Sequence, residues 1–175
     1  MRVRRIMMSV LAMAVGFGLA AFAERGDDAD RASKNGRTAA EIGGVEVVVE
    51  YGRPKVKGRE IWGGLVPYGK VWRTGADEAT TVELAADAHV EGEPLPAGRY
   101  ALFTIPGESE WTVIFNRQAD QWGAFGYDES KDALRVTVEP RSGEHVEEME
   151  FVADGSELVL RWERLEVPID IEAEG

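Results

Sequence analysis

From Ile42 to Ile171 the apolar residues recur at every second position, and no stretch holds a 3.6-residue period for three turns. Val45, Val47 and Val49 alternate with Glu46 and Glu50, Val82 and Leu84 with Thr81 and Glu83, and Leu134, Val136 and Val138 with Arg135, Thr137 and Glu139. A period of two in β-branched residues sends one strand face to a core and the other to water. GRYALFTI (98–105) and EWTVIFN (110–116) are apolar on both faces, as central strands are, and Pro106-Gly107-Glu108-Ser109 reads as the hairpin between them. Asp154-Gly155-Ser156 marks a second hairpin between Met149-Phe151 and Leu158-Leu160-Trp162. Beyond Glu163 the apolar positions change from even to odd numbers, which predicts a bulge or bend at Glu163-Arg164. Single helical turns are expected only near 116–121 and 128–132. The fold class is therefore all-β: one domain over 42–171, an antiparallel β-sandwich or a partly open barrel, with 172–175 as a tail.

The chain opens on Met1-Arg-Val-Arg-Arg, continues with an apolar run over 6–23, and leaves it through Ala21-Phe22-Ala23. A basic start, a short apolar core and a small-x-small exit identify 1–23 as a cleaved signal peptide and the rest as exported, without a membrane span once the signal is removed. Residues 24–41 hold almost no large apolar side chain and read as a flexible linker. There is no cysteine, so neither a lipid anchor nor a disulfide scaffold is available and an ordinary core must hold the fold. The net charge of −12 argues against nucleic acid and anionic lipid as partners.

Function is sought in GREIWGGLVPYGKVWRTGADEATT, 58–81, where tryptophans, charges and glycines mix without periodicity. Trp72-Arg73-Thr74-Gly75-Ala76-Asp77-Glu78 pairs a planar five-donor fork with an aromatic wall, and Gly75 would let the backbone turn tightly. The plainer account makes Trp72 core and ion-pairs Arg73 with Asp77 or Glu78. Arg53, Lys57 and Arg59 belong to the one basic concentration in an acidic chain, either an anion-receiving patch or a neutraliser of neighbouring acids. Trp122, Phe125 and Tyr127, set among small residues, suit a stacking platform, or else an ordered loop over the sheet edge. Catalytic material is thin. His89 falls in a strand and His145 in the acidic turn RSGEHVEE, and each reads as ordinary. Asp77, Glu78 and Asp120 could act as paired carboxylates, but acids are too abundant for a pair to be informative. No metal site and no cofactor is expected.

Three runs, YGRPKVKGREIWGGLVPYGKVWRTGADEATT, LPAGRYALFTIPGESEWTVIFN and DQWGAFGYDESKDALRVTV, resemble the bacterial exported proteins grouped as domain of unknown function 2911. The resemblance runs from Tyr51 through Pro140, most of the chain after the expected signal, and implies an exported β domain with no assigned activity. Where the family pattern carries asparagine this chain has Asp77, an acceptor-only group.

The leading expectation is a non-catalytic binding module holding a small polar or anionic ligand, a saccharide among them, between Trp72, Arg73 and the Trp122 loop. The alternatives are a hydrolase using paired carboxylates and a structural or protein-interaction domain of the cell envelope. Oligomeric state is left open.

Overall fold

A computed structural model describes Arg25 and residues 27–175; the expected signal peptide lies outside the described residues. Ten strands follow in order: β1 (Lys34–Ile42), β2 (Val45–Arg53), β3 (Thr80–Leu84), β4 (Ala88–Val90), β5 (Glu93–Leu95), β6 (Gly98–Ile105), β7 (Trp111–Asn116), β8 (Asp132–Val138), β9 (Arg141–Asp154) and β10 (Glu157–Ala173). All pair antiparallel, in a six-stranded sheet ordered β1-β2-β3-β6-β7-β8 and a four-stranded sheet ordered β5-β4-β10-β9. Neither sheet closes on itself, so the fold is a sandwich.

The period-two pattern builds the core directly. Val45, Val47, Val49 and Tyr51 of β2, Val82 and Leu84 of β3 and Leu102 of β6 meet Phe151 of β9 and Leu158, Leu160, Val167 and Ile169 of β10 in one cluster. The central strands β6 and β7 read apolar on both faces for a reason now visible. Ala101, Phe103 and Ile114 point away from the main core into a second small cluster, roofed by Val71, Ala124 and Tyr127 from two loops.

Within the linker expected over 24–41, residues 34–41 depart from that expectation. β1 takes up 34–42 and pairs with β2 from Lys34↔Arg53 to Ile42↔Val45. Its hold is a backbone ladder, supplemented by the Thr38 hydroxyl donating to the Phe151 carbonyl at 2.7 Å. Composition reports side-chain burial and is blind to a ladder. At the other end β10 runs to Ala173, into the expected tail, and the Ala173 N–H donates to the Gly43 carbonyl at 2.8 Å.

The irregularity expected at Glu163-Arg164 is present. Successive pairs run Arg161↔Glu150, Glu163↔Val146 and Leu165↔Ser142, so the longer path lies on β9 while Glu163 itself turns left-handed (φ 57). That twist moves the inward set from even to odd positions. Glu163→Gly should stay within about 1 kcal/mol of the parent in urea unfolding, whereas a β-branched Glu163→Val should lose about 1–2 kcal/mol.

Local details correct smaller expectations. One 3-10 turn forms at Glu129–Lys131, capped by the Asp128 side chain accepting from the Ser130 N–H. Residues 116–121 make no helical turn; Asn116 Oδ1 accepts from the Gln118 N–H and the Gln121 amide instead. His145 lies within β9, not in a turn, with Nε2 3.5 Å from Glu147.

Candidate functional site

The long β2–β3 connection, 54–79, caps one end of the sandwich. It first extends the β9 edge, the Val56 N–H donating to the Glu147 carbonyl (2.9 Å) and the Met149 N–H to the Pro54 carbonyl (3.0 Å). It then crosses to β6, where Trp72 and Thr104 exchange both backbone hydrogen bonds at 2.8 and 3.0 Å. Between these anchors Val56, Ile61 and Val66 enter the core. Trp62 sits among Trp72, Trp111 and Trp162 with ring centroids 6.0, 5.0 and 5.7 Å away, each edge-on, the arrangement aromatic quadrupoles favour. Trp72 is thus half core and half wall.

The segment after Trp72 is wound tightly. Thr74 and Asp77 are both left-handed (φ 53 and 61), and Thr74 is buried and β-branched, a combination that costs on the order of 1–3 kcal/mol. Three hydrogen bonds impose it. The Thr74 hydroxyl donates to the Trp72 carbonyl (3.2 Å) and lies 3.1 Å from Thr104 Oγ1, while the Thr80 hydroxyl donates to the Thr74 carbonyl (2.7 Å). Gly75, expected to supply the turn, is a glycine for closeness: a Cβ there would meet Thr80 Oγ1 at 3.0 Å and the Gly52 carbonyl oxygen at 3.1 Å.

The acids of this turn are taken by the N-terminal arginines. Arg31 grips Glu78 with two hydrogen bonds (2.7 and 2.5 Å) and lies 3.5 Å from Asp77. Arg25 stands 3.7 Å from Glu78 and donates to the carbonyls of Glu50 (3.1 Å) and Ala79 (2.6 Å). The Arg31 hydrogen bond, above all, holds the Glu78 carboxyl down to about 2. Asp120 is bound to Arg99 at 2.6 Å. A general acid needs a raised pKa, and Glu78 is held in the opposite state.

Arg73 therefore lacks the carboxylate expected for it. Among the described residues its side chain forms no hydrogen bond or ion pair, and its Nε is buried without an acceptor. Two cavities share Arg73, Trp72 and Leu65 as a common wall. One, of about 320 Å³, adds Arg59, Asp77 and Trp162; the other, of about 370 Å³, adds Pro67, Lys70 and Phe125. Arg59 and Lys70 likewise form no ion pair among the described residues, whereas Arg25, Arg31, Arg53, Arg99, Arg135 and Arg141 all reach carboxylates.

The other expected site residues scatter. Arg53 pairs with Glu148 (3.3 Å), which also binds Lys55 (2.7 Å), so this half of the basic run neutralises acids. Lys57 occupies an exposed left-handed turn (φ 48), and Arg59 folds back onto the carbonyls of Val56 (3.1 Å) and Lys55. Trp122, Phe125 and Tyr127 do not form one platform. Tyr127 packs edge-on against Phe103 (5.0 Å) and donates to Asp132 (2.7 Å); burial first, then that bond, pushes its hydroxyl well up. Trp122, 62% exposed, lines a separate cavity with Arg25, Glu78, Arg99 and Asp120. Phe125, 93% exposed, is the ring that reaches the Arg73 wall. The loop is stitched to the Asp77 turn by Gly123 N–H to Asp77 carbonyl (3.0 Å) and Ala79 N–H to Gln121 carbonyl (2.9 Å).

A family model described as protein of unknown function (DUF2911) matches residues 33–171, from the start of β1 to the last core residue of β10. The chain belongs to the DUF2911 family. No curated protein and no solved structure matches it.

In this DUF2911 protein two contributors to the site gave no sequence signal. Arg25 and Arg31 lie in a stretch whose composition reads as unstructured, yet they fix the Asp77-Glu78 turn. The tie is pH-dependent in a defined direction. A carboxyl lowered from 4.5 to about 2 on folding adds stability that is fully present above pH 4.5 and is lost as the pH falls towards 2. After solvent screening of a partly exposed pair, about 1–2 kcal/mol should disappear across that window in the parent protein. Glu78→Gln should flatten that part of the profile, measured by urea unfolding at pH 2, 3, 4 and 5.

Proposed function

We propose that this DUF2911 domain is an exported, non-catalytic binding module that takes a small anionic ligand at the Trp72-Arg73 wall. One observation carries the reading. In a chain of net charge −12, a guanidinium stands beside a half-buried tryptophan on the wall of two cavities, with no carboxylate or carbonyl among the described residues to satisfy it. Buried donors are ordinarily paired, and arginine is the side chain best built to receive an oxyanion. The strained backbone at Thr74 and Asp77 that follows fits a segment shaped for a ligand more than for stability. The hydrolase alternative loses support because Asp77, Glu78 and Asp120 are all engaged by arginines.

Thermal unfolding against a panel of organic anions and neutral saccharides tests the reading. An anion at a hundred times its dissociation constant should add about 2.7 kcal/mol to the stability of the native state. Arg73→Gln should abolish the shift and leave the unliganded midpoint within a few degrees. A shift that survives Arg73→Gln, or one given by neutral sugars alone, would refute it.

A further inference from the structure

The two cavities that meet at Arg73 differ in chemistry. The first is rich in donors. Arg73 Nε is buried without an acceptor, and so is the indole N–H of Trp162, which lines this cavity, and that of Trp62, packed against Trp162 at 5.7 Å. Indole N–H and guanidinium can only donate, so no rearrangement among these three satisfies any of them. The second cavity is apolar at its rim: Pro67 and Val71 line it with Leu65, 47% exposed, and Phe125, 93% exposed. Large apolar side chains held this far into water on both sides of one cavity mark a surface that gains by being covered.

Charge sets the valence of the complement. Arg59 faces the first cavity but is already bonded to the carbonyls of Val56 and Lys55, and Asp77 lines the same cavity, 3.5 Å from Arg31. Lys70 lines the second cavity from an exposed position where water screens its charge, so in the first cavity one unsatisfied guanidinium beside a carboxylate suits a single negative charge. A dianion would bring its second charge against Asp77.

We infer that the ligand is an amphipathic monocarboxylate, its carboxylate held by Arg73 beside Trp162 and its aryl or short alkyl body laid between Leu65, Pro67 and Phe125. This narrows the anion-binding reading and rests on it. No bond is made or broken: the carboxylate accepts from the guanidinium, and the body displaces water from the exposed rings and methyls.

Calorimetric titration of the purified protein with acetate, phenylacetate, hexanoate and inorganic phosphate tests it. Phenylacetate or hexanoate should bind at least about tenfold more tightly than acetate, a gap of about 1.4 kcal/mol. Phe125→Ser, at a residue too exposed to matter for folding, should bring the larger acids to the acetate level and leave acetate unchanged. Arg73→Gln should remove all of them. Binding of phosphate or acetate that depends on Arg73, with no gain from an apolar body, would overturn this inference and leave the anion reading standing. No Arg73-dependent binding by any of the four probes would overturn both.

Discussion

Trp111→Ala is expected to lower the free energy of unfolding by about 3–5 kcal/mol, seen as a fall of roughly 10 °C in the thermal midpoint and a matching shift in urea. Trp111 opens β7 with 1% of its surface exposed, and its ring meets Trp62 edge-on at 5.0 Å and Trp72 at 6.3 Å. Truncation removes a large apolar area and leaves a hole whose walls are other indoles. Those walls are themselves fixed, Trp72 by its paired backbone bonds to Thr104 and Trp162 by β10, so the hole has little freedom to collapse. Trp122→Ala is the control: its ring is 62% exposed and its loss should change stability by less than about 0.5 kcal/mol. Equal effects at the two positions would refute the four-tryptophan cap as the stabilising element of that end.

Gly52→Ala should lose about 2–3 kcal/mol and, unlike Trp111→Ala, should do so by deforming the site. A Cβ on Gly52 would lie 2.3 Å from the Ala76 carbonyl oxygen, a backbone atom without a rotamer to escape into. The turn from Thr74 to Asp77 lies flat on β2 because Gly52 and Gly75 bring two backbones together, so the added methyl must lift that turn. Lifting it pulls Asp77 and Glu78 from Arg31 and moves Arg73. Gly52→Ala should therefore weaken anion binding and the acid-dependent tie together, read by titration and by the pH profile of urea unfolding. Loss of stability with both site properties intact would refute the coupling.

The strands and their inward faces were legible because alternation at Val45-Val47-Val49 and Leu158-Leu160-Trp162 is a side-chain signal, and burial follows side chains. Even the change of parity at Glu163 could be read, since one left-handed residue displaces every apolar position after it. β1 was not legible: Ala39 and Ala40, with Lys34 and Arg37 before them, promise no core, and a ladder of backbone bonds leaves no mark on composition. At the site, the sequence pointed to Trp72, Arg73 and the 121–127 loop, and the fold brings Arg73 and Phe125 to one wall. It also offered a pairing of Arg73 with the acids four and five positions on. Arg31 takes them instead, 47 residues away from Glu78, and nothing local could have predicted so distant a competitor. Trp122 and Tyr127 flank Phe125 closely enough in sequence to suggest one platform, yet successive residues of a looped chain point in different directions.

The bond from Thr38 to Phe151 closes a span of 113 residues, and the Ala173 N–H docks on Gly43 at the end of the same strand. The β1-β2 hairpin forms its own ladder locally, but its seal against the opposite sheet waits for β9 and the far end of β10. Assembly begins in the local β1-β2, β6-β7 and β9-β10 hairpins, and the sandwich locks late, with the slow kinetics of non-local topology. A chain built this way stays a set of separate hairpins, open to the solvent between its two faces, for as long as its last strand is withheld.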